Sequence, residues 1–332
     1  MTQTRKLGRS GIEVSALGIG CWAIGGPFWG STPDGPPQPF GWGEVDDDES
    51  VRAIRRALDL GVTFFDTANV YGAGHSEKVL ARALEGRRDE AVIATKFGNT
   101  FDEQTRYTGP EDGSPEEVGR AVRESLRRLG TDHIDLYQLH INGLPIPQAL
   151  DLIPALEELV AQGLIRAYGW STDSPERAAA FAEAGVHCAT IQADLSVLRG
   201  SFGVIPVADE HDLGVIIRGP LAMGLLSGKY TAESKLPEDD IRGLSPEWMT
   251  YFTDGRPTAE FLNRIDAIRD VLTSGGRTLA QGALAWLWAY SGRTVPIPGC
   301  RTVAQVEENA GALAHGPLSA AELADVEKLL GR

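Results

Sequence analysis

One stretch of the chain decides the fold: residues 114–140 read SPEEVGRAVRESLRRLGTDHIDLYQLH. Ser114 before a proline is typical of a helix N-terminus, and apolar residues at helical spacing predict a helix over Pro115 to Leu129. The apolar run Ile134 to Leu139 then predicts a buried strand, which ends at the polar His140. A helix followed by a buried strand is typical of a parallel sheet covered by helices.

The same alternation of short apolar runs and helical segments extends over nearly the whole chain. Further helices are predicted over Asp47 to Leu60, over Pro147 to Gln162, and over Pro175 to Glu183 with Ser174 as N-cap. Eight such units in about 300 residues match a closed (β/α)8 TIM barrel better than an open sheet, so we predict a single α/β barrel domain over residues 1–332. The predicted strands are Ala16 to Trp22, Val62 to Asp66, Ala91 to Thr95, Ile134 to Leu139, Ile165 to Trp170, Cys188 to Gln192, Gly214 to Ile217 and Arg293 to Ile297.

Three segments fall outside this alternation of strands and helices. Residues Lys6 to Ser15 are too short for a βα unit and predict a hairpin that plugs one end of the barrel. The long segments Gly25 to Gly43 and Leu221 to about Arg256 follow the first and seventh strands, at the catalytic face. Long loops at that face are typical of binding lids.

Composition excludes several classes of function. The 332 residues are 42% hydrophobic and 23% charged, as in ordinary globular proteins, and the net charge of −15 disfavours nucleic acid and anionic membranes as partners. The three cysteines are far apart, residues 1–15 lack the apolar region of a signal peptide, and no apolar run approaches the 18 residues of a membrane span. We therefore expect a cytoplasmic protein. Of six histidines only His140 ends a predicted strand, so no metal site is expected.

Polar residues end three consecutive predicted strands. Asp66 ends the second strand, Lys96 follows the third and His140 follows the fourth, while Tyr71 comes shortly after Asp66. Each alone fits a strand-end cap or a salt bridge. Because catalytic residues of such barrels lie at the carboxyl ends of strands, the set together indicates an active site.

The motifs around these residues resemble the aldo-keto reductases, and the similarity runs from about Leu7 to Ala312. The resemblance implies a catalytic tetrad of Asp66, Tyr71, Lys96 and His140. The longer loop after the seventh strand is most similar to the bacterial and potassium-channel β-subunit-like branch. The motifs are Gly61 to Asp66, Phe65 to Gly72, Thr95-Lys96, Leu139-His140, Gly169 to Ser171, Gln192, Gly224 to Tyr230, Pro298-Gly299 and Gln305 to Asn309.

The chemistry of carbonyl reduction explains why four such side chains belong together. Hydride goes to carbon, and an acid must protonate the oxygen. A free phenol is a poor acid near neutral pH, so we expect the Lys96 ammonium to lower the pKa of Tyr71 while Asp66 holds Lys96 in place. His140 is expected to orient the substrate oxygen. In reverse, the Tyr71 phenolate is the base for alcohol oxidation.

The resemblance also implies a cofactor site. Ser171 and Gln192 match residues that bind the nicotinamide carboxamide, with Thr172 beside them. Arg301 precedes a helix start at Thr302, where a guanidinium and a helix N-terminus favour the 2′-phosphate of NADPH; NADH is the alternative. The residues matched to the pyrophosphate are Gly219, Leu221, Met223 and Lys229, and those matched to the adenosine are Arg301, Gln305, Glu308 and Asn309.

Arg218 departs from the family pattern, because an aromatic residue usually stacks on the nicotinamide at this position. Its guanidinium either stacks on the ring or pairs with a nearby carboxylate, leaving the ring uncovered. Thr172 and Arg301 also replace residues more common in relatives.

The leading functional hypothesis is NADPH-dependent reduction of an aldehyde or ketone to an alcohol. The alternatives are NAD(P)-dependent oxidation of a sugar or polyol, and a cofactor-binding regulatory subunit with vestigial turnover. The expected partner is a small carbonyl or sugar molecule, with a homo-oligomer left open. The expected substrate pocket has aromatic walls formed by Trp22, Phe28, Trp29, Trp42 and Phe97.

Overall fold

Eight parallel strands form a barrel in the computed structural model of the chain, which describes residues 3–30, 38–244, 246 and 248–332. Each strand pairs with the next one along the chain. The ring closes where Gly20 pairs with Gly299, just beyond the last strand. The predicted (β/α)8 barrel is therefore confirmed. The strands are β1 (Gly18–Gly20), β2 (Phe64–Asp66), β3 (Val92–Phe97), β4 (Ile134–Leu139), β5 (Ile165–Ser171), β6 (Cys188–Asp194), β7 (Gly214–Arg218) and β8 (Thr294–Pro296).

Helices cover the outside of the barrel. The predicted N-caps are confirmed, since the Ser114 hydroxyl accepts from the backbone N–H of Glu117 and the Ser174 hydroxyl from that of Arg177. The helices are α1 (Asp47–Asp59), α2 (His75–Ala83), α3 (Pro115–Leu129), α4 (Ile146–Leu150), α5 (Ile153–Ala161), α6 (Pro175–Ala184), α7 (Val204–Glu210), α8 (Ile241–Leu244), α9 (Ala259–Thr273), α10 (Leu279–Tyr290), α11 (Val303–His315) and α12 (Ala320–Leu329).

One helix prediction is wrong. Residues 147–162 form two helices, α4 and α5, rather than one. Pro154 lies in the first turn of α5, and a proline fits a first turn but breaks a helix interior. The chain therefore ends one helix and starts another.

The lower half of the barrel interior is apolar. Phe64, Ala94 and Leu136 point inward from neighbouring strands, and the N-terminal hairpin (Thr4–Lys6 paired with Glu13–Ser15) packs Leu7 and Val14 against them. The predicted plug is thus confirmed. At the opposite end β1 lies so close to the last strand that a Cβ on Gly20 would lie 2.7 Å from the Ile297 carbonyl oxygen.

The two long loops meet across the open end of the barrel. Arg242 pairs with Asp240 at 2.5 Å, donates to the Met223 carbonyl, and lies 4.3 Å from the centre of the Trp42 ring. Part of the first loop, residues 31–37, lies outside the described residues. Among the helices that the structure describes, none has the length and apolar character needed to cross a membrane.

Candidate active site

The upper half of the barrel interior is polar, in contrast to the layer beneath it. Side chains alternate along a strand, so Asp66 and Lys96 point inward two residues above Phe64 and Ala94. His140 follows β4 directly, and Tyr71 lies in the turn after β2. The structure brings these four side chains together: Tyr71 contacts Lys96, and its ring lies edge-on to the His140 ring with centres 5.8 Å apart.

Lys96 is fully buried and has three hydrogen-bond acceptors. Its Nζ lies 2.5 Å from Asp66 Oδ1, 2.8 Å from the Thr67 carbonyl oxygen and 3.4 Å from the Tyr71 hydroxyl. An ammonium group has three N–H donors, so all three are used and the Tyr71 oxygen accepts one of them. The proton of Tyr71 must therefore point away from Lys96, toward the open cavity.

The pKa of Tyr71 differs in net direction from the expectation. Burial raises the pKa of this phenol, and the Lys96 ammonium, which lowers it, does not overcome that effect. On Lys96 burial opposes the charge, but the Asp66 carboxylate outweighs it and the pKa of Lys96 is raised. Lys96 thus stays charged, and the Tyr71 hydroxyl stays protonated near neutral pH.

His140 is held in its neutral form. Burial, followed by the positive charges of Lys96 and Arg218, lowers the pKa of His140 well below its ordinary value. Its Nδ1 is buried and has no hydrogen-bond partner among the described residues. A neutral imidazole can orient an oxygen through one hydrogen bond, but it is not a charged acid. Tyr71 therefore stays the predicted proton donor.

A cavity of about 1170 Å³ opens above the four residues and continues along the barrel mouth. Thr172 is the exception among the residues matched to the cofactor: it is buried, and its hydroxyl donates to the Asn142 carbonyl and accepts from the Ser174 N–H, as a turn residue does. The matched residues that line the cavity are Ser171, Gln192, Arg218, Gly219, Leu221, Met223, Lys229, Arg301, Gln305, Glu308 and Asn309.

Of the two arrangements left open for Arg218, the ion pair with a carboxylate is present, and its position relative to the nicotinamide stays a prediction. Its guanidinium forms an ion pair with Asp173, which also accepts hydrogen bonds from the Asn142 side chain and from the Asp194 N–H. The Asp173 carboxylate thus holds the guanidinium at the cavity wall and compensates part of its charge.

The far end of the cavity is more acidic than the sequence indicated. Arg301 donates to the backbone carbonyls of Trp42 and Glu44, which ties the first long loop to the barrel. Glu49 accepts from the Val303 N–H at 2.8 Å, and Thr302 caps the N–H of Gln305. The N-terminus of α11 was expected to face a phosphate, but these side chains already use two of its donors. Arg301 is left as the cationic group there.

The aromatic wall differs in part from the prediction. Trp22, Phe28 and Trp42 line the cavity, and Trp22 stacks on Tyr71 with ring centres 6.0 Å apart. Phe97 instead points outward against Tyr137, because it follows the inward-facing Lys96 on the same strand. Trp29 stacks on Tyr107 in a neighbouring hairpin.

Several residues of the site were missed by the sequence reasoning. Phe40 and Trp248 also contribute to the aromatic wall, and Asp46 and Glu49 line the cavity as well. These residues lie on loops, and no spacing pattern relates them to the strand ends. Gln138 contacts Asp66 from inside the barrel. Its position two residues before His140 on β4 was a usable signal, since side chains two apart share a face.

Comparisons with known proteins agree with this geometry. Residues 16–330 match the model of the Aldo/keto reductase family. The chain is 32% identical over 305 residues to aldo-keto reductase YhdN of Bacillus subtilis, covering 90% of this chain and 85% of YhdN. It is 30% identical over 320 residues to aldo-keto reductase yakc [NADP(+)] of Schizosaccharomyces pombe, covering 93% and 86%. Among solved structures, the glycerol dehydrogenase AKR11B4 from Gluconobacter oxydans superposes with a TM-score of 0.78 at 31% identity, covering 97% of this chain and 93% of that one.

Proposed function

The chain belongs to the aldo/keto reductase family, and we propose that it reduces an aldehyde or ketone to an alcohol with NADPH, through one domain spanning residues 1–332. The observation that carries the proposal is the hydrogen bonding of Lys96. Asp66, Thr67 and Tyr71 take its three donors, so the Tyr71 proton faces the cavity. That is the position from which a carbonyl oxygen can be protonated.

Each catalytic side chain has one task in this proposal. Tyr71 gives its proton to the oxygen, and Lys96 stabilises the phenolate that forms. Asp66 keeps Lys96 charged and in place, and neutral His140 orients the oxygen by a hydrogen bond. When bound, the nicotinamide of the cofactor supplies the hydride.

The residues around the cavity fit a dinucleotide. One continuous cavity runs from the tetrad to Arg301, and Gly219 and Gly224 on its wall both have positive φ, a conformation that glycine adopts without strain. Ser171 and Gln192 would hold the nicotinamide end, Lys229 the pyrophosphate, and Arg301 with Asn309 the adenosine end. A relative at 30% identity carries NADP(+) in its name, which supports the phosphorylated cofactor.

Arg301 provides the test of cofactor choice. A charged hydrogen bond to phosphate is worth about 1.5 to 3 kcal/mol, so Arg301→Ala should weaken NADPH binding by roughly ten- to a hundredfold more than NADH binding. Arg301→Ala also removes the contacts of Arg301 with the carbonyls of Trp42 and Glu44. This loss affects the binding of both cofactors, so the change in the Kd for NADH measures it.

The Kd values are measured by tryptophan fluorescence quenching, and two further variants serve as controls. Arg301→Lys keeps the charge and should retain most of the preference for NADPH. Arg56→Ala removes a surface arginine that pairs with Glu307, and it should change neither Kd. Equal losses for NADPH and NADH in Arg301→Ala would show that Arg301 does not contact the 2′-phosphate.

The walls of the cavity favour a flat, uncharged substrate. Trp22 stacks on Tyr71 and also contacts Phe40, Trp42 and Trp248, so an aromatic surface surrounds the proposed proton donor. Nearby Arg218 is already paired with Asp173, which weakens its attraction for an anionic substrate. We therefore propose aromatic aldehydes and ketones as the preferred substrate class.

Oxidation of a polyol is the second candidate, because a relative at 31% identity is named a glycerol dehydrogenase. The same four residues would serve, with the Tyr71 phenolate as base. The regulatory-subunit alternative and the potassium-channel β-subunit-like branch depend on the sequence resemblance alone and stay predictions.

A turnover assay tests the proposed function. NADPH oxidation is followed by absorbance with matched panels of aromatic aldehydes, aliphatic aldehydes and ketoses, and NADP+ reduction with polyols. We expect the highest kcat/KM for the aromatic aldehydes. Polyol oxidation that is faster than carbonyl reduction at neutral pH would favour the second candidate. No turnover with any of these carbonyls or polyols would favour the regulatory subunit.

A further inference from the structure

Gln138 lies inside the barrel, directly beneath the proposed active site. It is fully buried on β4 and pairs in register with Lys96 of β3. The layer below it, which includes Leu136 and Ala94, is apolar. A buried amide between an apolar layer and a reaction centre must find its hydrogen-bond partners within the site.

Those partners are Asp66 and Gln192. Gln138 Nε2 lies 3.0 Å from Asp66 Oδ2, and Gln192 Nε2 lies 2.7 Å from the same oxygen. A carboxylate only accepts hydrogen bonds, so both glutamines must direct their NH2 groups at it. Gln192 Nε2 also lies 3.2 Å from Gln138 Oε1. The two hydrogens of the Gln192 amide are thereby used, and only its carbonyl oxygen is left for the cavity.

Together these contacts give each oxygen of Asp66 at least one hydrogen-bond donor. Lys96 contacts Oδ1, and the two amides contact Oδ2. A buried carboxylate that faces three donors is held in one orientation. Of the three donors, Lys96 contacts the Tyr71 hydroxyl and Gln192 lines the cavity, whereas Gln138 does neither. Its contribution to the reaction must therefore pass through Asp66 and Gln192.

We propose that Gln138 is a positioning residue for the reaction: it fixes Asp66 toward Lys96 and fixes the Gln192 amide with its carbonyl oxygen toward the cavity. The inference rests on the proposed function. It implies that the acid group Tyr71 and the proposed nicotinamide contact Gln192 are joined by one continuous set of buried hydrogen bonds.

The substitution Gln138→Glu tests this because a carboxylic acid copies the amide only while it is protonated. The protonated carboxyl can donate to Asp66 and accept from Gln192, as the amide does, whereas the ionised form would repel Asp66. The charged and titratable groups facing this layer are Asp66, Lys96, Tyr71, His140, Cys21 and Arg218. Two carboxyls that share a proton titrate as a pair, with one step moved to high pH.

We expect a new descending limb in the pH profile of kcat for this variant. At low pH its kcat approaches that of the wild type, and with rising pH it falls by roughly ten- to a hundredfold as the introduced carboxyl ionises. Gln138→Leu, which keeps the volume but removes both hydrogen bonds, should lose a similar factor at every pH. Its Kd for NADPH should change much less than its kcat.

A measurement without turnover separates this proposal from the proposed function. In the cofactor-free protein, the introduced carboxyl holds its proton more tightly when folded than when unfolded. The Tm of Gln138→Glu relative to wild type should therefore fall as pH rises above about 4.3, the ordinary glutamate pKa, until the buried carboxyl ionises. Gln148→Glu, the same change at an exposed position of α4, should follow the wild type throughout.

Each result has a defined meaning. Wild-type protein that turns over no carbonyl or alcohol contradicts the proposed function, while the Tm series still reports on the buried carboxyl pair. A kcat profile of Gln138→Glu parallel to the wild type, or full kcat in folded Gln138→Leu, overturns the positioning role.

Discussion

Tyr71→Phe lowers kcat for carbonyl reduction by roughly a hundred- to ten-thousandfold, the range that a general acid contributes, while the Kd for NADPH stays within about twofold. The phenol oxygen is the only atom removed. Stacking of the ring on Trp22 and its edge contact with His140 are kept, so the shape of the cavity survives. Stopped-flow turnover and fluorescence titration of NADPH measure the two quantities separately.

The pH dependence of the wild type follows from the same group. Because burial raises the pKa of Tyr71, the phenol is protonated through neutral pH, and kcat for reduction should be flat there and fall only in alkali. Oxidation needs the phenolate, so the kcat for oxidation should rise with pH as the phenolate fraction of Tyr71 increases. Because the pKa of His140 is lowered well below its ordinary value, this residue adds no limb near neutrality.

A matched change elsewhere controls for the loss of a hydroxyl. Tyr107→Phe alters an exposed tyrosine that stacks on Trp29 and should leave both pH profiles unchanged. If Tyr71→Phe kept more than a few per cent of wild-type kcat, Tyr71 would not be the acid, and the donor would have to be sought at His140.

The regular parts of the barrel could be predicted because local signals there agree with one another. The strand Ile134–Leu139 and the helix Pro115–Leu129 have the predicted bounds, since an N-cap, a proline at the start and an apolar period all coincide. The strict alternation of strands also separates inward from outward residues. Applied to β3 and β4, it would have placed Phe97 on the outside of the barrel and Gln138 in its interior.

The loops could not be predicted in the same way, because their contacts join residues far apart in sequence. Glu49 reaches the N–H of Val303, and Arg301 reaches the carbonyls of Trp42 and Glu44. Neither contact follows a period or a motif. The pairing of Arg218 with Asp173 could not be predicted for the same reason. Choosing between stacking on the nicotinamide and pairing with a carboxylate requires knowing where the carboxylate lies in space.

Lys96→Met has a large expected effect on both activity and stability. The lysine and Asp66 are fully buried, and breaking a buried ion pair by removing one partner costs about 3 to 5 kcal/mol, because a charge is left uncompensated. We expect the free energy of unfolding to fall by that amount at neutral pH, as measured by urea denaturation. The kcat should fall by roughly a thousandfold or more, because the phenolate of Tyr71 loses its stabilising cation.

The double variant Asp66→Asn/Lys96→Met separates these two effects. Removing the second charge should restore most of the lost stability, since the buried site becomes neutral, but it should restore none of the kcat. If the double variant were as unstable as Lys96→Met, packing around the lysine chain rather than charge would explain the loss. If instead the double variant recovered kcat along with stability, Lys96 would act on folding alone, and the proton transfer assigned to Tyr71 would not depend on its charge.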